Sequence, residues 1–112
     1  MSEHDPCAEV IGASDELIPT EILESVTPML RAVAHPVRLR ILDYLRREGE
    51  ARSVSDIEKA SGVQQAVVSQ QLRILKDQGV LSAQRRGNFV MYEISAPNVT
   101  LILDCIRRHK TG

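Results

Sequence analysis

The densest concentration of chemistry in this 112-residue chain lies where Gln64, Gln65, Ala66, Ser69 and Gln70 are followed by Arg73 and Lys76. A glutamine amide can bond the N6 and N7 edge of adenine in a bidentate way. A serine hydroxyl suits several base edges, and an alanine allows close approach to a thymine methyl. Arginine and lysine suit phosphate oxygens, which position a protein on a duplex without reading its sequence. At 100° per residue the polar side chains occupy one arc of a helix, while Val67, Val68, Leu72, Ile74 and Leu75 occupy the other. The single acid of the polar arc, Asp77, stands at its C-terminal end. Just beyond come Arg85, Arg86 and Asn88. Arginines at the tip of a β-wing can lie along the phosphate backbone or enter a narrow minor groove. Either feature alone is ordinary solvated surface; their succession points to duplex DNA.

A second set of reactive residues is spread wider. The two cysteines are Cys7, near the N-terminus, and Cys105, near the C-terminus. In one reading Cys105 packs as a small hydrophobe and Cys7 is an idle thiol. In a second they form a disulfide switch, which needs Cα atoms within about 7 Å; Arg107 and Arg108 beside Cys105 would favour its thiolate. In a third, Cys7, Cys105, His4 and His109 offer a tetrahedral set to zinc or another thiophilic ion, although their spacing is no local motif. His35, preceding Pro36, reads as a helix cap or a solvated residue. No cofactor is required by any of these residues, and a metal ion is a weak candidate only. With three histidines and no glycine-rich phosphate loop, the chain offers no assembled nucleophile, base and orienting group, so it does not read as an enzyme.

The elements that must position these residues follow from periodicity. Ile22, Leu23, Val26, Leu30 and Val33 predict an amphipathic helix over 20–34, with Pro28 expected to kink or restart it after Thr27. Pro36 suits a first helical position, and Val37, Leu39, Ile41, Leu42 and Leu45 carry a helix to about Gly49. Glu48 to Arg52 reads as a polar linker. Ser55 with Glu58 has the form of a capping box, opening a short helix stopped at Gly62. The next helix runs from about Gln64 to Gln78, and two helices across a tight glycine turn make a helix-turn-helix pattern. Strands at 80–85 and 89–94 flank Arg86-Gly87-Asn88, a hairpin signal. Pro97 opens a last helix over 97–110 with Val99, Ile102, Leu103 and Ile106 on one stripe and Cys105 at its edge. The fold class is mainly α with a small β-hairpin, in the order α-α-α-α-β-β-α.

Charge divides the chain. The formal net charge is −1, but residues 1–30 hold seven acidic and no basic side chains, whereas residues 31–112 hold all 14 basic ones. The division suggests residues 1–19 as a flexible acidic arm and 20–112 as a basic binding and dimerisation domain. Phosphate would repel the arm, placing it on the side of Cys105, away from DNA. The three aromatic residues, Tyr44, Phe89 and Tyr92, are too few for a stacking platform for single strands. No apolar run has the roughly 18–20 residues of a membrane span. The acidic start is unlike a secretory signal, and two cysteines make no disulfide framework. Together these predict a cytoplasmic protein.

Four segments carry a resemblance to a known family: Leu30-Arg31-Ala32-Val33-Ala34-His35-Pro36-Val37-Arg38-Leu39-Arg40-Ile41-Leu42, then Val54-Ser55-Asp56-Ile57, then Gln65 through Leu81, and the wing from Arg85 to Tyr92. Over about residues 30–95 the chain resembles the ArsR/SmtB family of winged helix-turn-helix transcriptional repressors, which are dimeric and release DNA on meeting a metal ion or an oxidant. The resemblance implies a homodimer through the first and last helices, bound to an imperfect palindrome in double-stranded operator DNA, with recognition helices about 34–36 Å apart. Members that sense soft metals carry a Cys-x-Cys motif in the helix-turn-helix, yet Val54 to Glu58 holds no cysteine. Members that sense zinc use Asp and His pairs on the last helix, where this chain has only Asp104 and His109. Other members sense oxidants or reactive sulfur through two distant cysteines, one on the last helix. A winged helix used only for protein–protein contact is the alternative from another class.

Overall fold

The computed structural model describes residues 16–110, apart from the Lys110 side chain. Five helices and three strands follow in the order α1 (Thr20–Val33), α2 (Pro36–Glu48), β1 (Arg52–Ser53), α3 (Val54–Ser61), α4 (Gln65–Asp77), β2 (Leu81–Arg86), β3 (Phe89–Ile94) and α5 (Pro97–Lys110). Most of the expected acidic arm, residues 1–19, lies outside the described residues.

Helix α1 runs unbroken through Pro28, so the expected restart after Thr27 does not occur. Proline removes one backbone donor, the one that would meet the Glu24 carbonyl, and the helix continues without that bond; in the turn before it Thr27 Oγ1 donates to the Leu23 carbonyl at 2.6 Å and Ser25 Oγ to that of Ile22 at 2.8 Å. The His35–Pro36 junction meets expectation. Pro36 starts α2, and His35 Nδ1 accepts from the Val37 N–H at 3.2 Å, which makes this histidine a cap.

The supposed linker after α2 contains a strand. Ala51 is buried, and Arg52 and Ser53 pair with Tyr92 and Met91, giving an antiparallel sheet of order β1-β3-β2. That pairing moves the capping box by two residues. Ser53, not Ser55, accepts from the Asp56 N–H at 3.1 Å, and Asp56, not Glu58, reaches back to the Ser53 N–H at 3.4 Å. Both registers match the Ser-x-x-acid pattern; the strand ending at Ser53 selects the earlier one.

The core joins Val33 of α1, Ile41, Leu42 and Leu45 of α2, Ile57 of α3, Val68, Leu72 and Leu75 of α4, Val80 and Leu81 at the entry to β2, and Val99 and Leu103 of α5. Each fully buried aliphatic side chain contributes roughly 1.5–3 kcal/mol of transfer free energy, so α4 is anchored to the centre of the domain. Burial pushes the Tyr44 hydroxyl above its ordinary pKa, against the lowering effect of the Arg52 guanidinium. No helix among the described residues is long and apolar enough to cross a membrane.

Candidate nucleic-acid interface

Four successive devices set the position of α4. Gly62 takes a left-handed φ of 75° after α3, turning the chain within the few residues that separate the two helices. Ser61 Oγ accepts from the Val63 N–H at 3.2 Å, and the Ser61 carbonyl accepts from Arg40 Nε of α2 at 2.8 Å. Val68, Leu72 and Leu75 are wholly buried along one stripe. At the far end the Val80 N–H donates to the Leu75 carbonyl and the Gly79 N–H to that of Lys76, the paired bonds of a Schellman ending made possible by the positive φ of Gly79.

The inner arc differs from the expected one at two positions. Val67 is exposed and Gln71 is buried, at 36% and 9% exposure. Burial of an amide needs a partner, and Gln71 has one: Arg38 Nε of α2 donates to its Oε1 at 2.6 Å. The same guanidinium donates to the Ala32 carbonyl of α1 at 3.0 Å. Arg38 therefore ties three helices together on the side of α4 opposite its exposed face. The signal was present in the spacing, since Val68, Gln71, Leu72 and Leu75 follow a three- and four-residue rhythm that Val67 breaks. Residue polarity pointed the other way.

On the outer arc, Gln65, Ala66, Ser69, Gln70, Arg73 and Lys76 are all exposed. Gln64 is the residue before the helix and its side chain makes no capping bond, so its amide is not spent on the helix end. The first turn of α4 carries no acid, leaving the positive end of the helix dipole uncompensated by its own turn.

The wing is tighter than expected. The strands run to Arg86 and from Phe89, leaving Gly87 and Asn88 as a two-residue turn instead of a three-residue loop. Gly87 alone takes a positive φ, 61°, while Asn88 does not, in keeping with hairpin turns that need glycine at the first central position. The register pairs Arg86 with Phe89 and Arg85 with Val90. Adjacent strand residues face opposite ways, so the two arginines point to opposite faces of the hairpin. Arg85, Arg86 and Asn88 are exposed. At the base of the wing, Ser95 donates through its N–H to the Val80 carbonyl and through Oγ to that of Gly79.

Cys105 lies half-buried on α5 and is disulfide-bonded. Cys7 and His4 lie outside the described residues, and His109 is exposed at the end of α5. Asp104 pairs with Arg46 of α2 at 3.2 Å, and Arg107 pairs with Asp43 of α2 at 2.6 Å. Among the described residues no group of three or more His, Cys, Asp or Glu side chains is placed to hold a metal ion. Ile22, Leu23 and Leu30 of α1 and Ile106 of α5 stand between 44% and 53% exposed.

Comparison with known proteins agrees with this geometry. Residues 35–83 match the family described as bacterial regulatory protein, arsR family. The HTH-type transcriptional repressor SmtB of Mycobacterium tuberculosis is 38% identical over 89 residues, covering 79% of this chain and 64% of SmtB. The chain thus spans somewhat less than two thirds of that relative's length. The HTH-type transcriptional regulator Rv0081 of the same species is 39% identical over 82 residues, covering 70% of this chain and 68% of the relative. Among solved structures, the AntR antimony-specific transcriptional repressor superposes with a TM-score of 0.77 at 31% identity, covering 88% of this chain and 92% of the other. The homodimeric winged helix-turn-helix domain of Mb0332 from Mycobacterium bovis gives 0.70 at 29% identity, covering 89% of each chain. Fold, helix-turn-helix geometry and sequence converge: the chain belongs to the ArsR family of bacterial regulatory proteins.

Proposed function

We propose that the chain is a homodimeric, sequence-specific DNA-binding transcriptional repressor that an inducing signal releases from its operator. The observation that carries this reading is the uncommitted outer face of α4, polar and basic, on a helix whose inner face is locked into the core. Gln64, Gln65, Ala66, Ser69 and Gln70 read base edges in the major groove, and Arg73 and Lys76 reach phosphate. Arg85, Arg86 and Asn88 of the wing reach the flanking backbone or minor groove. Dimerisation through α1 and α5 would cover the exposed Ile22, Leu23, Leu30 and Ile106, and the homodimeric state of the similar Mb0332 domain supports a dimer. Two-fold symmetry then implies an imperfect palindrome in the operator. The test is a titration of duplex DNA at several salt concentrations. A repressor of this kind loses affinity linearly on a log–log plot against salt; affinity independent of salt and sequence leaves a winged helix that serves protein contacts only.

For the inducing signal, the reading is oxidation or persulfidation of Cys7 and Cys105. Two thiols reduce one peroxide to two waters and join as a disulfide, or a sulfane-sulfur donor such as a polysulfide converts one thiol to a persulfide and the other thiolate attacks its inner sulfur, forming the disulfide and releasing hydrosulfide. The disulfide at Cys105 supports this reading, as does its place on α5 between Asp104 and Arg107, which grip α2. Helix α2 in turn holds α4 through Arg38 and Gln71. A shift of α5 thereby reaches the recognition helix through one intervening helix. The same DNA titration after peroxide or persulfide, with Cys7→Ser and Cys105→Ser, checks it: both variants must lose the response. A metal-responsive repressor using Cys7, Cys105, His4 and His109 is the second reading, favoured by similarity to the antimony-specific AntR. Metal content of protein purified without chelator distinguishes the two.

A further inference from the structure

Phe89 is the single phenylalanine of the chain, and it is 60% exposed at the tip of the wing. The fold has no use for it there. The hairpin has two faces: Leu81, Ala83, Tyr92 and Ile94 are buried or half-buried on the face that meets the core, while Gln84, Arg86, Phe89 and the half-buried Met91 share the other. Arg86 stands directly across from Phe89, on the same outer face. Between Asp77 and Glu93 the sequence contains no acidic residue, so the tip joins an apolar ring to a local positive charge. One ring is too small a patch for the core of a protein–protein interface. It matches a polyanion with an apolar recess, and the minor groove of duplex DNA is one, walled by sugars and lined by base edges. Six-residue strands extend the wing by about 20 Å, comparable with half of the roughly 34 Å turn that separates a major groove from the next minor groove.

We infer that Phe89 is a DNA-contacting wedge: it enters the minor groove beside the Arg86 guanidinium and favours an easily unstacked pyrimidine–purine step at that position. Arg86 supplies the charge contact and Phe89 the shape and deformability contact, so one wing tip reads groove width and step flexibility together. The inference rests on the DNA-binding reading above and adds a sequence preference outside the segment read by α4.

The experiment uses the full chain and duplexes that it selects from a random-sequence pool, with affinity read by fluorescence anisotropy across salt and bending by energy transfer between end labels. Phe89→Ala is expected to weaken binding about tenfold, the scale of one lost ring contact. It should reduce the bend and leave both the salt slope and the thermal midpoint as in the parent. Phe89→Leu, still an apolar wedge, should retain most of the affinity. Arg86→Ala is the contrast, lowering the salt slope by about 1. Replacing a pyrimidine–purine step at the wing position by a stiff step should cost the parent as much as Phe89→Ala does. If Phe89→Ala keeps the parent's affinity and bend on these duplexes, the wedge is wrong while the DNA-binding reading stands. If the parent selects no duplex at all, that reading falls first and takes the wedge with it.

Discussion

Helices α4 and α5 are almost equal in length, 13 and 14 residues, and both are amphipathic, yet they are held in opposite ways. Helix α4 is fixed from beneath: three aliphatic side chains are wholly buried, a buried amide is gripped by Arg38, and the outer face is left open. Helix α5 sinks only Val99 and Leu103 fully into the core and keeps Ile106 at 45% exposure. It is also tied to α2 by the pairs Arg46–Asp104 and Arg107–Asp43, whose side chains are between 33% and 54% exposed. Packing stabilises by several kcal/mol per side chain, whereas exposed ion pairs contribute about 0–1 kcal/mol. Helix α4 is therefore held mainly by buried packing, and α5, which carries the disulfide-bonded Cys105, is held against α2 in larger part by exposed ion pairs.

The largest effect that would test this contrast is the loss of α4 packing. Leu72→Ala should destabilise the domain by about 2–5 kcal/mol, seen in urea denaturation. Ile106→Ala, on the open face of α5, should cost under about 1 kcal/mol under conditions that keep the chain monomeric. Equal losses would mean that the two helices are anchored alike.

Next comes the buried grip. Arg38→Ala leaves the Gln71 amide oxygen and the Ala32 carbonyl without their donor, a loss of about 1–3 kcal/mol. Because Gln71 lies on the inner face of α4, duplex affinity should fall by more than stability alone explains, under conditions where the variant is fully folded. An affinity equal to the parent's would make Arg38 a stability residue only. The wing supplies a smaller effect. Gly87→Ala forces a side chain into the left-handed region at φ 61°, costing about 1–2 kcal/mol. The expected signature is faster amide exchange confined to β2 and β3.

These contrasts were partly legible in the sequence. The order of helices, the glycine stops at Gly49 and Gly62, and the last helix over 97–110 all followed from local patterns, because caps and periodicity are local physics. The strand Arg52–Ser53 did not, since two residues carry no period and owe their conformation to Tyr92 and Met91, some 40 residues away in the chain. The misplaced capping box has the same cause. For the interface, the exposed Gln, Ser, Arg and Lys side chains were readable one by one, but Gln71 was not. A glutamine counts as solvated until a partner 33 positions away is known to meet it. Nor could the sequence show that Arg85 and Arg86 face apart, because Arg86 reads there as part of the loop, and the alternation applies to it only once the strand runs to Arg86.

The smallest expected effect bears most directly on the contrast. Asp104→Asn removes the charge that Arg46 holds at 3.2 Å and keeps the shape and much of the polarity of the side chain. The pair is exposed enough for water and salt to screen it, so the loss of stability should stay below about 1 kcal/mol. A purely structural pair would then leave no further trace. If α5 passes its state to α2 through this contact, the variant should also narrow the ratio of duplex affinities between protein reduced with dithiothreitol and protein oxidised with peroxide. The two readouts separate the roles, because stability reports the pair's strength and the ratio reports what the pair transmits. A stability loss above about 2 kcal/mol would place Asp104 among the strong anchors and end the contrast with α4. An unchanged ratio at unchanged stability would move the transmission to Arg107 and Asp43, the shorter pair, where Asp43→Asn repeats the test.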